Sequence, residues 1–137
     1  MIRLTAVALA IVAIGGCNSQ PLISPLGFSG LYATTVTLGQ NSCGAVTVQN
    51  NNTNVVHNSL TGAVTLTHAG QTYSGTVASN GSFTTTPKAV NVGDGFNYSI
   101  TIAGQFVGNT LTADVTVDRT GQGSACQYIV HWTGVHG

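Results

Sequence analysis

The chain has 137 residues, only 4% of them charged, and a formal net charge of zero. That length gives room for one domain. Three cations, Arg3, Lys88 and Arg119, cannot build the basic face that nucleic-acid binding requires, so no nucleic-acid partner is expected. Apolar residues make up 42% and fall in short alternating runs, so a core can form.

The N-terminus opens with Arg3 as a minimal positive region, followed by an apolar run from Leu4 to Ile14. The run is shorter than the roughly 20 apolar residues of a membrane-spanning helix. Its charge, length and small-residue ending are those of a secretory signal. The ending itself, Ile14-Gly15-Gly16-Cys17, resembles the lipobox of bacterial lipoprotein precursors, in which an aliphatic residue and two small residues precede a Cys. The resemblance covers residues 1–17. It implies that residues 1–16 are removed, that Cys17 takes diacylglycerol on its sulfur, and that the new amine is acylated as well, commonly with palmitate. Two or three acyl chains anchor a protein stably where one does so marginally. An ordinary signal peptide cut near Gly16 is the simpler alternative. Asn18 stands where Asp commonly signals inner-membrane retention in Gram-negative lipoproteins, which favours the outer membrane. Loss of Arg3 leaves Lys88 and Arg119 against Asp94, Asp114 and Asp118, a net charge of about −1 for the mature part.

Residues 17–28 read as the lipidated N-terminus and a tether, with Pro21 and Pro25 and no clear period. Extended, it reaches roughly 35 Å. Leu22, Ile23, Leu26 and Phe28 are apolar for a free linker, so part of it is expected to pack on the domain.

Residues 29–137 form the expected single domain. Tyr32 to Leu38 places Tyr32, Val36 and Leu38 on one face. Ala45 to Gln49 is a short second candidate, and Val55-Val56 follows the Asn-rich tract Asn50 to Asn54. Ala63 to His68 turns through Ala69-Gly70 into Thr72 to Ala78, which aligns Tyr73 and Val77. Ser79-Asn80-Gly81-Ser82 predicts a hairpin with a type I′ turn, leading into Phe83 to Thr86, where Pro87 removes a donor. Phe96 to Ile102 aligns Phe96, Tyr98, Ile100 and Ile102. Ala103-Gly104 and Gly108-Asn109 then flank a short segment holding Phe106. Leu111 to Val117 sends Leu111, Ala113, Val115 and Val117 inward, and Cys126 to Trp132 aligns Cys126, Tyr128, Val130 and Trp132. About seven to nine short strands with frequent turns predict an all-β fold. A small antiparallel meander barrel is favoured because it hides its edges, with a β-sandwich as the alternative.

With Cys17 assigned to lipid, Cys43 and Cys126 remain as a pair. An exported protein meets an oxidising compartment, where a disulfide between them is the expectation. Free thiols or a metal pair are the alternative, but no ligand spacing for zinc accompanies them. No metal and no cofactor is expected.

His57, His68, His131 and His136 are the candidate bases of the physiological range. There is no Glu, and Asp114 and Asp118 lie four apart on one strand, about 13 Å, too far for a carboxylate pair. Gly93-Asp94-Gly95 reads as a turn rather than a calcium loop. No nucleophile elbow or phosphate-cradling loop is present. The T-x-T units Thr35-Val36-Thr37, Thr65-Leu66-Thr67 and Thr110-Leu111-Thr112 resemble ice-binding surfaces, though Thr suits any exposed strand face. Ala69-Gly70-Gln71-Thr72-Tyr73 is similar to the loop motif of the periplasmic inhibitors of C-type lysozyme, with Ala where Ser is usual. That resemblance would put Gly70 and Tyr73 on an inhibitory loop. As a turn and a core Tyr they need no such role.

The expectation is a lipid-anchored cell-envelope protein of non-enzymatic binding or structural type, with a protein or small-molecule ligand. The alternatives are a periplasmic inhibitor of a host or competitor enzyme and a small hydrolase using a His with Ser or Asp. A cleft bringing His to Ser and Asp favours the hydrolase. An apolar barrel mouth favours a small-ligand carrier.

Overall fold

A computed structural model describes residues 27–137. The lipobox, Cys17 and the tether up to residue 26 lie outside the described residues. The strands are β1 (Gly30–Asn41), β2 (Asn51–His57), β3 (Ala63–His68), β4 (Gln71–Val77), β5 (Ser82–Thr85), β6 (Lys88–Val90), β7 (Asn97–Val107), β8 (Thr110–Gly121) and β9 (Ser124–His136). Each pairs antiparallel with its neighbours in chain order as far as β5. β5 and β6 then share one edge of β7, and β9 returns to β1. The sheet therefore closes into an eight-stranded meander barrel, with β6 as a short extra strand. Pro87 lies between β5 and β6, where its missing donor breaks what would otherwise be one strand.

Alternation does the sorting. Tyr32, Val55, Leu66, Ile102, Leu111 and Val115 point inward and are buried, while the intervening Thr, Asn and Ser side chains face outward. A membrane-spanning barrel has the reverse polarity, apolar outside and polar within. The T-x-T threonines lie outward on β1, β3 and β8, which the barrel's curvature turns in different directions, so they share no flat face.

One end is plugged by aromatic rings. Phe28 stacks on Phe106 with centroids 4.6 Å apart, and Phe83 and Tyr32 close on the same ring. The Phe28 N–H donates to His57 Nδ1 at 3.1 Å, so the chain enters the barrel at this end, and Phe28 belongs to the plug. At the other end, Cys43 and Cys126 form a disulfide across a separation of 83 residues. It ties the β1–β2 loop to the start of β9.

Four local expectations are corrected. Residues 45–49 form no strand. The chain there is committed to the loop by the disulfide and by Asn41 Oδ1, which accepts from the Cys43 N–H at 2.7 Å. The partner of β1 is instead the Asn-rich tract, because Thr53 and Val55 supply a buried alternate row while Asn52 and Asn54 stay outside. Burial of that row outweighs the low strand preference of Asn. Ala103-Gly104 is not a turn but the middle of β7. A Cβ at Gly104 would lie 2.3 Å from the Thr112 carbonyl oxygen, so glycine there permits close approach of β8.

The hairpin at Ser79-Asn80-Gly81 has a different loop from the one expected. Gly81 N donates to Ala78 O at 2.9 Å and Ala78 N to Ser82 O at 2.8 Å. Only Gly81 of these residues has positive φ, at 86°. This is a three-residue loop ending in a left-handed Gly. The type I′ geometry occurs instead at Ala69-Gly70 and Gln122-Gly123, where both residues of each pair have positive φ.

A candidate binding cavity at the barrel mouth

Opposite the plug, the barrel interior opens into a cavity of about 330 Å³. Its walls are the inward rows of β1, β8 and β9, with Val36, Val115, Val117 and Val130, and residues 47–49 of the disulfide-tied loop lie over it. An eight-stranded barrel has room inside for side chains or for one small ligand. Here the plugged end is closed, while at the mouth the buried side chains of Tyr73, Val115, Val117, Val130 and Trp132 leave an open depression above them.

The floor is His68 and Trp132, whose rings stack with centroids 4.1 Å apart. His68 is the last residue of β3 and Trp132 sits in mid-β9, both on inward positions. A buried hydroxyl chain holds the imidazole from behind. His68 Nδ1 lies 2.9 Å from Thr53 Oγ1, which lies 2.7 Å from Thr34 Oγ1. The Thr34 hydroxyl donates to the Tyr32 carbonyl at 3.2 Å.

One direction of this chain satisfies all three contacts. A carbonyl only accepts, so Thr34 spends its proton on Tyr32 and accepts from Thr53. Thr53 then accepts from His68, which places the proton on Nδ1. The opposite direction would lose the Tyr32 bond. Nε2 is left with a lone pair. Among the described residues it has no hydrogen-bond partner, yet no enclosed side-chain polar atom there lacks one. Nε2 therefore meets the cavity that His68 lines. Burial pushes the His68 pKa below its ordinary 6.5, so the ring is neutral at pH 7.

Tyr73 and Tyr128 complete the lining. Burial raises the pKa of both, and Tyr73 is raised further by the nearby Tyr128, so two neutral hydroxyls share this end. No Asp, Lys or Arg lines the cavity. The described cations are held elsewhere. The Arg119 guanidinium lies over the Phe96 ring at 4.5 Å and donates to the Cys43 carbonyl. Lys88 Nζ donates to the Thr72 carbonyl at 2.7 Å.

The other sequence candidates are dispersed. His57 and His136 belong to the plug end, against Phe28 and Tyr32 respectively. His131 pairs with Asp114 on the outer face, where both are exposed. Among the described residues no Ser hydroxyl is bonded to any histidine ring, and no cluster of His, Cys or Asp is placed to hold a metal. Asp94 accepts from the Phe96 N–H and from Tyr98 within a turn, and these bonds, Tyr98 first, hold its carboxyl below the usual range. Gly70 is exposed in the β3–β4 turn, whereas Tyr73 is buried and faces the barrel interior. The site that matters here, His68 with Trp132 and Thr53, was not visible as a motif. Its members lie on three strands, and only their shared inward parity marks them.

The chain matches no protein-family model, no curated protein and no solved structure.

Proposed function

We propose that this is a lipid-anchored protein of the cell envelope whose barrel binds a small molecule at its mouth, without transforming it. The observation that carries the binding role is the cavity: apolar walls, an aromatic floor, the His68 ring, and a polar rim of Thr47, Gln49 and Asn51, the common make-up of small-ligand sites. Non-catalytic binding is supported by the neighbours of His68: among the described residues its ring is hydrogen-bonded to Thr53 and to no Ser or Asp. The anchor rests on the resemblance of Ile14-Gly15-Gly16-Cys17 to a lipobox. The outer membrane is the favoured address in a Gram-negative cell.

Two measurements test this reading. Intact mass of the protein from membranes is expected to show diacylglycerol and acyl additions that Cys17→Ala abolishes. A mature species without lipid mass contradicts the anchor. Trp132 is the only tryptophan, so its emission reports directly on the cavity floor. Saturable change on adding small aromatic probes is expected, and insensitivity to all of them contradicts the binding role.

A further inference from the structure

Resting on the reading of the mouth as a ligand site, we infer that the cavity selects small, uncharged, largely apolar molecules that present one hydrogen-bond donor, of the phenol or indole class, with the donor directed at His68 Nε2.

Three independent features converge on this class. Size comes first: about 330 Å³ lies at the lower end of small-molecule sites and suits one or two rings. Charge comes next. No Asp, Lys or Arg lines the cavity, and the nearby Arg119 is engaged by Phe96 and the Cys43 carbonyl, so a charged ligand would lose hydration with no counter-ion in the lining to replace it. Polarity of the hydrogen bond comes last. The Tyr32–Thr34–Thr53–His68 chain runs in one direction and leaves Nε2 as an acceptor. A ligand O–H or N–H fits it, whereas a second acceptor would meet it lone pair to lone pair. Trp132, Tyr73 and Tyr128 offer aromatic surface to a flat body, and stacking on Trp132 keeps the imidazole from turning.

The test uses the full-length chain carrying Cys17→Ala, with the NMR ring signals of His68 and Trp132 as the readout. Phenol and indole are compared with anisole, which keeps the ring and loses the donor, and with benzoate, which is anionic. Phenol and indole are expected to saturate, with anisole weaker by about tenfold or more for the unmade hydrogen bond and benzoate weaker still. His68→Leu is expected to bring phenol and anisole to within about twofold of each other. The wild-type comparison stands even if that variant does not fold. Anisole equal to phenol, or benzoate preferred to either, overturns this inference and leaves the cavity a ligand site. No saturable response to any of the four probes overturns the ligand-site reading, and this inference with it.

Discussion

His68 bears on stability and, in the proposed function, on recognition. Burial holds its pKa, and that of His57, below 6.5. The unfolded chain therefore takes up protons more readily than the folded one once the pH drops below about 6.5. Stability is expected to be level above pH 7 and to fall as the pH is lowered from 6.5 through the folded-state values. Protonation at His57 would also remove the lone pair that accepts from Phe28. Denaturant midpoints at pH 8, 7, 6 and 5 check this, and equal midpoints at pH 7 and pH 5 contradict it. A second single-residue effect is found at Ala69, held at a φ of 49° in the β3–β4 turn. Asn tolerates that left-handed conformation better than Ala. Ala69→Asn is expected to stabilise by about 0.5–1 kcal/mol in chemical denaturation. A loss of stability would show that the turn is not strained.

At the scale of elements, period-two alternation made most of the barrel legible. Leu111, Ala113, Val115 and Val117 of β8 are buried as their spacing implies, and so are Tyr73 and Val77 of β4. Alternation failed where composition pointed the other way. Asn51–Asn54 looks like a loop until Thr53 and Val55 are seen to be its inward row. Ala45 to Gln49 alternates but is diverted by the disulfide. Gly104 resembles punctuation, yet it is a contact point inside β7, with Ala113 and the Thr112 carbonyl against its α-carbon. Gly104→Ala is expected to destabilise by about 1–3 kcal/mol, because the β7–β8 pair must part to admit a methyl group. An unchanged melting temperature would contradict that packing. The Cys43–Cys126 bridge constrains a long loop. Its removal by Cys43→Ser with Cys126→Ser is expected to lower stability by about 2–5 kcal/mol, measured as a shift in urea midpoint. An unshifted midpoint would mean that the strand ladder alone holds the β1–β2 loop. The binding site was less legible than the strands, since His68, Thr53 and Trp132 come together only once the order of strands is known.

The molecule as a whole has two unlike poles. Phe28, Phe83 and Phe106 fill one end, where the described chain enters, and the disulfide-tied loop covers a cavity at the other. Between the poles, a mainly polar outer face, with Leu31, Val56, Val107 and Val135 exposed on it, surrounds an apolar interior, and among the described residues the enclosed side-chain polar atoms all have hydrogen-bond partners. The proposed binding of a small donor molecule at the mouth runs through His68. Its most direct measurement is a titration of the full-length Cys17→Ala chain with phenol, followed by NMR of the ring signals of His68 and Trp132. Both sets are expected to shift together and saturate, with the His68 proton on Nδ1 and the ligand's donor on Nε2. Shifts confined to outer-face residues such as His131 and Asp114, or a His68 ring protonated on Nε2, would contradict the account.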